Sequence, residues 1–168
     1  MDINIWIVSY LIIFMLHNLE EIITIEYWIR KVYPRISHKI PAFIQEELNK
    51  KKDITAAQFA LVVFILSVVI SGLILIGIFT EQYYFFLGVS LAFGLNFFTH
   101  PLQSLFLRCY TPGVITSLLL VIPYYSLFFY HFYGTEMFSR GTMIGAIIVI
   151  ACLAPVFFLS HKIGEKWK

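Results

Sequence analysis

Five apolar blocks of 19 to 25 residues, separated mostly by short connections, restrict this chain more than any other feature of its sequence. They cover residues 5–28, 56–79, 83–107, 113–132 and 142–160. Each is long enough to cross roughly 30 Å of hydrocarbon as a helix rising about 1.5 Å per residue. Composition agrees: 60% of the 168 residues are hydrophobic, 13% are charged, and the mean hydropathy is +0.82. A water-soluble domain is nearer half apolar and a quarter charged. The chain therefore reads as an all-α polytopic membrane bundle, with residues 1–168 forming one membrane domain. A net charge of +2, locally placed, excludes nucleic acid as an expected partner and leaves membrane lipids. Cys109 and Cys152 fall in or beside apolar spans and read as reduced packing residues.

Orientation follows from the basic residues. Five spans put the termini on opposite sides. Arg30, Lys31, Arg35, Lys39, Lys50, Lys51 and Lys52 follow the first span, Arg108 follows the third, and Lys162, Lys166 and Lys168 follow the fifth. These segments share one side and hold 11 of the 12 basic residues, with only Arg140 opposite, so the N-terminus is expected outside and the C-terminus in the cytoplasm. No Lys or Arg precedes the first span, which is longer than the apolar core of a secretory signal and ends in Arg30-Lys31; it is expected to stay uncleaved.

Connections at 80–82, 108–112 and 133–141 are too short for a further domain, so successive helices are expected to pack as antiparallel neighbours. The longer first connection carries Ile40, Phe43, Ile44 and Leu48 at helical spacing beside Glu46, Glu47 and the Lys50-Lys51-Lys52 run. This predicts a helix over 36–53 lying in the cytoplasmic interface. Gly141 and Gly145 form a pair of small residues suited to close packing within the bundle.

The polar residues inside the apolar blocks point to a site. The first span contains Leu16-His17-Asn18-Leu19-Glu20-Glu21-Ile22, and each ionisable residue at mid-helix costs about 2.5 to 3.5 kcal/mol on insertion scales. At about 100° per residue, His17, Glu20 and Glu21 share one face. The third span carries Asn96, His100 and Gln103 on a narrow stripe. Depth arithmetic puts His100 level with the two glutamates, and Thr116 and Ser117 of the fourth span in the same slab. Glu26 lies near the boundary and reads as an interface residue. Pro101 removes a backbone donor beside His100 and should bend the third span, whereas Pro123 and Pro155 read as ordinary membrane-helix prolines.

The His17-Asn18-Leu19-Glu20-Glu21 string resembles the signature of the HXXEE family of bacterial membrane proteins, as do the Asn96-x-x-x-His100 block and Tyr110-Thr111-Pro112-Gly113-Val114-Ile115-Thr116. The resemblance implies a multi-pass protein of the bacterial plasma membrane with a shared polar site, and no particular reaction. A more distant likeness is to intramembrane glutamate peptidases of the CAAX-processing type. Those place an Arg after the Glu-Glu pair, where this chain has Ile22, Ile23, Thr24 and Ile25.

Three functions fit these residues. In the first, His17, His100 and one of Glu20 or Glu21 bind a metal, zinc by ligand type, while the other Glu serves as general base in a membrane-embedded enzyme acting on a lipid-soluble substrate. A di-iron centre wants about four carboxylates, and the interior offers two. In the second, Glu20, Glu21 and His100 act without metal as acid and base, in a peptidase-like or isomerase-like reaction. In the third, the residues serve a proton or ion path, a lipid sensor, or a hydrogen-bonded knot that fixes helix pairing. Asn96, Gln103 and Thr116 are expected to support the site from around it.

Overall fold

The computed structural model of the chain describes residues 2–50 and 53–167. Among them every regular element is helical: α1 (Ile3–Lys39), a short α2 (Ala42–Lys50), α3 (Ala56–Thr80), α4 (Tyr83–Leu107), α5 (Val114–Phe132) and α6 (Arg140–Lys166). The five other than α2 are long and apolar enough to cross a membrane. Their outward faces are apolar in mid-helix, with Ile12, Phe64, Val68, Leu119, Ile147 and Phe158 all exposed. A surface so extensively apolar is matched to lipid, and the chain is a membrane protein.

Helix starts carry local stops for the free backbone donors. The Asp2 carboxylate accepts from Asn4 N–H at 3.0 Å. Thr55 and Gln58 form a reciprocal capping box at α3, and Ser139 Oγ accepts from Thr142 N–H at 3.3 Å at the start of α6.

The main core is aromatic and fills the half of the bundle that holds the start of α1. Trp6 meets Tyr124 and Phe128 edge-on, and Tyr10 meets Phe86 and Phe93 edge-on. The N-terminal half of α4 packs closely on α6 because glycine removes the side chain at the crossing. A Cβ on Gly88 would stand 2.6 Å from Val149 Cβ, and one on Gly145 would stand 2.6 Å from the Tyr84 ring. Gly145 thus packs within the bundle, whereas Gly141 faces open space. The expectation that successive helices are neighbours fails at the last step, since α6 packs on α4 and α3 rather than on α5. The α5–α6 connection is long enough to cross the end of the bundle, and its turn Glu136–Phe138 seats Met137 in the core.

Helix α1 continues past the expected end at Trp28. It passes through a π turn at Trp28–Val32 and reaches Lys39, a length of 37 residues or about 55 Å. Its last turns exceed the hydrocarbon and bury Trp28, Ile29, Tyr33, Ile36 and Ile40 against Leu107. The expected interfacial helix is therefore divided: Ile40 is buried behind α1, and α2 turns Phe43 outward at 72% exposure. Lys51 and Lys52 lie outside the described residues. A second π turn occupies Ser117–Val121 in α5. Each π turn ends two residues before a proline, Pro34 or Pro123. Proline lacks an N–H and crowds the carbonyl four residues back, so a wider turn relieves the clash while Tyr33 N–H reaches Trp28 O and Ile122 N–H reaches Ser117 O.

Three hydrogen bonds tie the segments after α1, α4 and α6 to one end of the bundle. Trp28 Nε1–H donates to Tyr110 O at 2.7 Å, Ala56 N–H to Glu26 Oε2 at 3.0 Å, and Gln58 Nε2–H to Trp167 O at 2.8 Å. Glu26 also pairs with Arg30 at 3.2 Å, so it joins α1 to the start of α3.

Candidate functional site

The polar residues of α1 and α4 meet where the aromatic core ends. His17 follows Tyr10 and Phe14 along the buried stripe of α1 and is fully buried, with the edge of Phe93 against its ring at a centroid distance of 5.3 Å. Helix α4 steps at Leu95, between Tyr83–Gly94 and Asn96–Leu107. Pro101 is therefore accompanied by a break six residues earlier, nearer the N-terminus than its missing bond to Phe97 suggests. Asn96 and His100, both on the second segment, face His17. Asn96 Nδ2 lies 3.2 Å from His17 Nε2, and the two imidazole rings stand at 67° with centroids 4.9 Å apart.

The two adjacent glutamates go to different neighbours. Glu21 turns between the imidazoles, with Oε1 3.5 Å from His100 Nε2 and Oε2 4.0 Å from His17 Nε2. Glu20 turns to the beginning of α5. Its Oε1 accepts from Tyr110 O–H at 2.7 Å and Ile115 N–H at 3.1 Å, and its Oε2 accepts from Thr116 N–H at 2.7 Å and Thr116 O–H at 2.5 Å. Glu20 thereby satisfies two of the free backbone donors that open a helix, where a negative charge is also favoured. Thr116 Oγ1 lies 2.9 Å from His17 Nδ1 and links the two parts. Tyr110 sits in the connection before α5, where burial, with the Glu20 carboxylate beside it, pushes its phenol up to about 12.

Gly113 closes the site over both rings. Its φ of +82° requires the left-handed conformation, and a Cβ there would stand 2.9 Å from His17 Cε1 and 3.0 Å from His100 Cε1. The sequence placed Tyr110 and Gly113 in the 110–116 block that resembles the family's, without a separate role at the site for either. Their available signal was the Pro-Gly step opening a helix, with a tyrosine three residues before the glycine.

The structure thus brings together His17, Glu20, Glu21, Asn96, His100 and Thr116. Gln103 is exposed and stands apart, and Ser117 is buried without joining the cluster's bonds. Three cavities, of about 450, 460 and 260 Å³, are lined by other residues. Glu21 and His100 keep 18% and 12% side-chain exposure, so the site is not sealed. Ligand atoms of His17, Glu21 and His100 all lie within 4.8 Å of one another. Tetrahedral zinc with bonds of about 2.0 to 2.2 Å spaces its ligand atoms by about 3.4 Å, so side-chain shifts of roughly 1 Å would close the set.

A family model described as a protein of unknown function with HXXEE motif matches residues 8–128, a stretch that holds every residue of the cluster. No curated protein and no solved structure matches the chain.

Proposed function

The chain belongs to the HXXEE-motif family, and from that premise we propose that it is a membrane-embedded, metal-dependent enzyme whose zinc is held by His17, Glu21 and His100. The observation that carries this reading is the convergence of two imidazole nitrogens and one carboxylate within 4.8 Å, at the boundary of a dry aromatic core. Two His and one Glu are the donor set of hydrolytic zinc sites, which keep a fourth position open. Zinc so held supplies Lewis acidity toward a carbonyl or a water in that position. The residues around the ligands hold them in place: Asn96 and Thr116 meet His17 from two sides, Phe93 excludes water from its ring, and Gly113 admits both imidazoles. Glu20 is committed to α5 by four accepted bonds, so it neither ligates nor serves as a base. The residual exposure of Glu21 and His100, in a site built between membrane helices, favours a lipid-soluble substrate.

In this proposal the protein is a multi-pass protein of the bacterial plasma membrane, with its C-terminus in the cytoplasm. The support is the clustering of basic residues at the end where the segments after α1, α4 and α6 are tied together.

Metal analysis of the detergent-purified protein tests the reading. One zinc per chain is expected, lost in His17→Ala, His100→Ala and Glu21→Gln, whereas folded Glu20→Gln should still take one zinc per chain, with weaker affinity. In cobalt-loaded protein, azide should change the visible spectrum by entering the open position. Wild-type protein that takes up no transition metal would overturn the metal reading and leave the Glu21–His100 couple, at 3.5 Å, as a metal-free acid and base.

A further inference from the structure

We infer that His17 is held as the neutral imidazole with its proton on Nδ1, and that the groups imposing this are Thr116 and, through it, Glu20. These two are then positioning residues: they aim the bare Nε2 of His17 at Glu21 and His100 without touching what binds there. The tautomer stands by itself, and its consequence for metal binding rests on the function proposed above.

The argument is a count of protons. Four donors converge on the Glu20 carboxylate, two on each oxygen, which leaves no oxygen free to carry a proton of its own. A hydroxyl has one proton to give. Thr116 Oγ1 lies 2.5 Å from Glu20 Oε2 and 3.3 Å from Gly113 O. Charge-assisted O–H···O⁻ bonds fall at about 2.5 to 2.7 Å, so the proton goes to the carboxylate. Toward His17 Nδ1, at 2.9 Å, Thr116 Oγ1 then presents only lone pairs, and Nδ1 must be the donor. The far side of the ring agrees. Asn96 Nδ2 stands 3.2 Å from His17 Nε2, an amide N–H₂ facing a nitrogen whose lone pair can accept.

The arrangement matters because metals take the lone pair of an imidazole nitrogen, and the other nitrogen's hydrogen bond decides which one is available. Glu20 sits one residue before Glu21 yet acts on His17 by way of α5, so the helix that receives Glu20 also sets the ligand's proton. With a metal bound, the Nε2 lone pair would go to it, so Asn96 would hold the ring through Nε2 only in the metal-free protein, and Thr116 would hold it in both.

The test uses metal-free, full-length protein labelled with ¹⁵N-histidine in micelles, with His17 assigned from the signals missing in His17→Gln. Expected is a protonated, pyrrole-type Nδ1 and a bare, pyridine-type Nε2 in wild type and in Thr116→Ser, which keeps the hydroxyl. Thr116→Val keeps the shape without the hydroxyl and should lose the preference. In zinc titrations Thr116→Val should bind about 10- to 100-fold more weakly, as removal of a ligand's orienting partner does, and Thr116→Ser should recover wild-type affinity. Wild-type protein with its proton on Nε2 would overturn the inference even if Thr116→Val failed to fold, as would a folded Thr116→Val with an unchanged tautomer. Failure of wild type to take up zinc, with the tautomer found as stated, would sink the metal reading alone.

Discussion

Replacing each glutamate of the pair by glutamine should move stability in opposite directions. Glutamine at position 20 keeps one acceptor oxygen, able to serve two of the four donors, and turns an amide N–H₂ on the other two. At least one backbone N–H at the start of α5, from Ile115 or Thr116, loses its acceptor whichever way the amide faces. Hydrogen bonds to a charged group contribute about 1.5 to 3 kcal/mol each, so two lost bonds cost about 3 to 6 kcal/mol. Glu20 is only partly buried, and solvent screening reduces this to about 3 kcal/mol. For a chain of this size that corresponds to a fall of roughly 6 to 12 °C in Tm. Glu21 has only two imidazole nitrogens near it, at 3.5 and 4.0 Å. Glu21→Gln removes an ionisable carboxyl from a poorly solvated site and should leave the metal-free protein as stable or more stable. Thermal unfolding in detergent, followed by tryptophan fluorescence, measures both. A Glu20→Gln variant within about 2 °C of wild type, or a Glu21→Gln variant that falls as far as Glu20→Gln, would refute the division of roles.

Gly113→Ala and Gly134→Ala both place a Cβ at positive φ, +82° and +76°, but only the first meets atoms within 4 Å. Gly134→Ala should cost about 1 to 2 kcal/mol of backbone strain; Gly113→Ala should cost clearly more and impair zinc uptake, and equal melting temperatures would argue against close packing over the two imidazoles. Tyr110 gives a pH signature: its folded phenol, pushed up to about 12, retains a proton that the unfolded chain releases near 10. The folded state binds more protons across that interval, so stability falls as pH rises from about 10 to about 12. Denaturant titrations should show a shallower alkaline fall in Tyr110→Phe than in wild type, and parallel curves would contradict this.

The membrane helices were legible because a block of 19 or more apolar residues has few alternatives, and their ends were less so. Charge at Arg30 and Lys31 marks where α1 leaves hydrocarbon, but a helix need not end there, and the π turn before Pro34 carries it on. Likewise the stripe of Asn96 and His100, its depth, and the position of Thr116 located the cluster before any coordinates. The separation of Glu20 from Glu21 was not accessible, because adjacent residues on one face still point about 100° apart, and which helix stands on each flank is a tertiary fact. Gln103 illustrates the converse: it shares the stripe of His100, yet lies about 60° from His100 around the helix and ends at the surface. Gly113 shows a glycine only as a turn former; that two rings would lie under it depends on how α1, α4 and α5 come together.

The π turn at Ser117–Val121 acts as a phase shifter within α5. In an uninterrupted α-helix at about 100° per residue, Thr116 would stand about 130° from the mean direction of Val121, Tyr124, Tyr125 and Phe128, which are buried in the aromatic core. One surplus residue in the turn takes back up to about 100° of that angle. The two halves of α5 can then face the same interior, one offering a hydroxyl and two backbone donors to α1, the other its aromatic rings. What the stretch from Leu118 to Leu120 supplies is thus a number of residues more than any particular side chain. Removing one leucine should rewind the helix and swing Thr116 out of reach of His17, which the imidazole ¹⁵N signals would register, while exchanging leucine for another apolar residue should leave those signals in place.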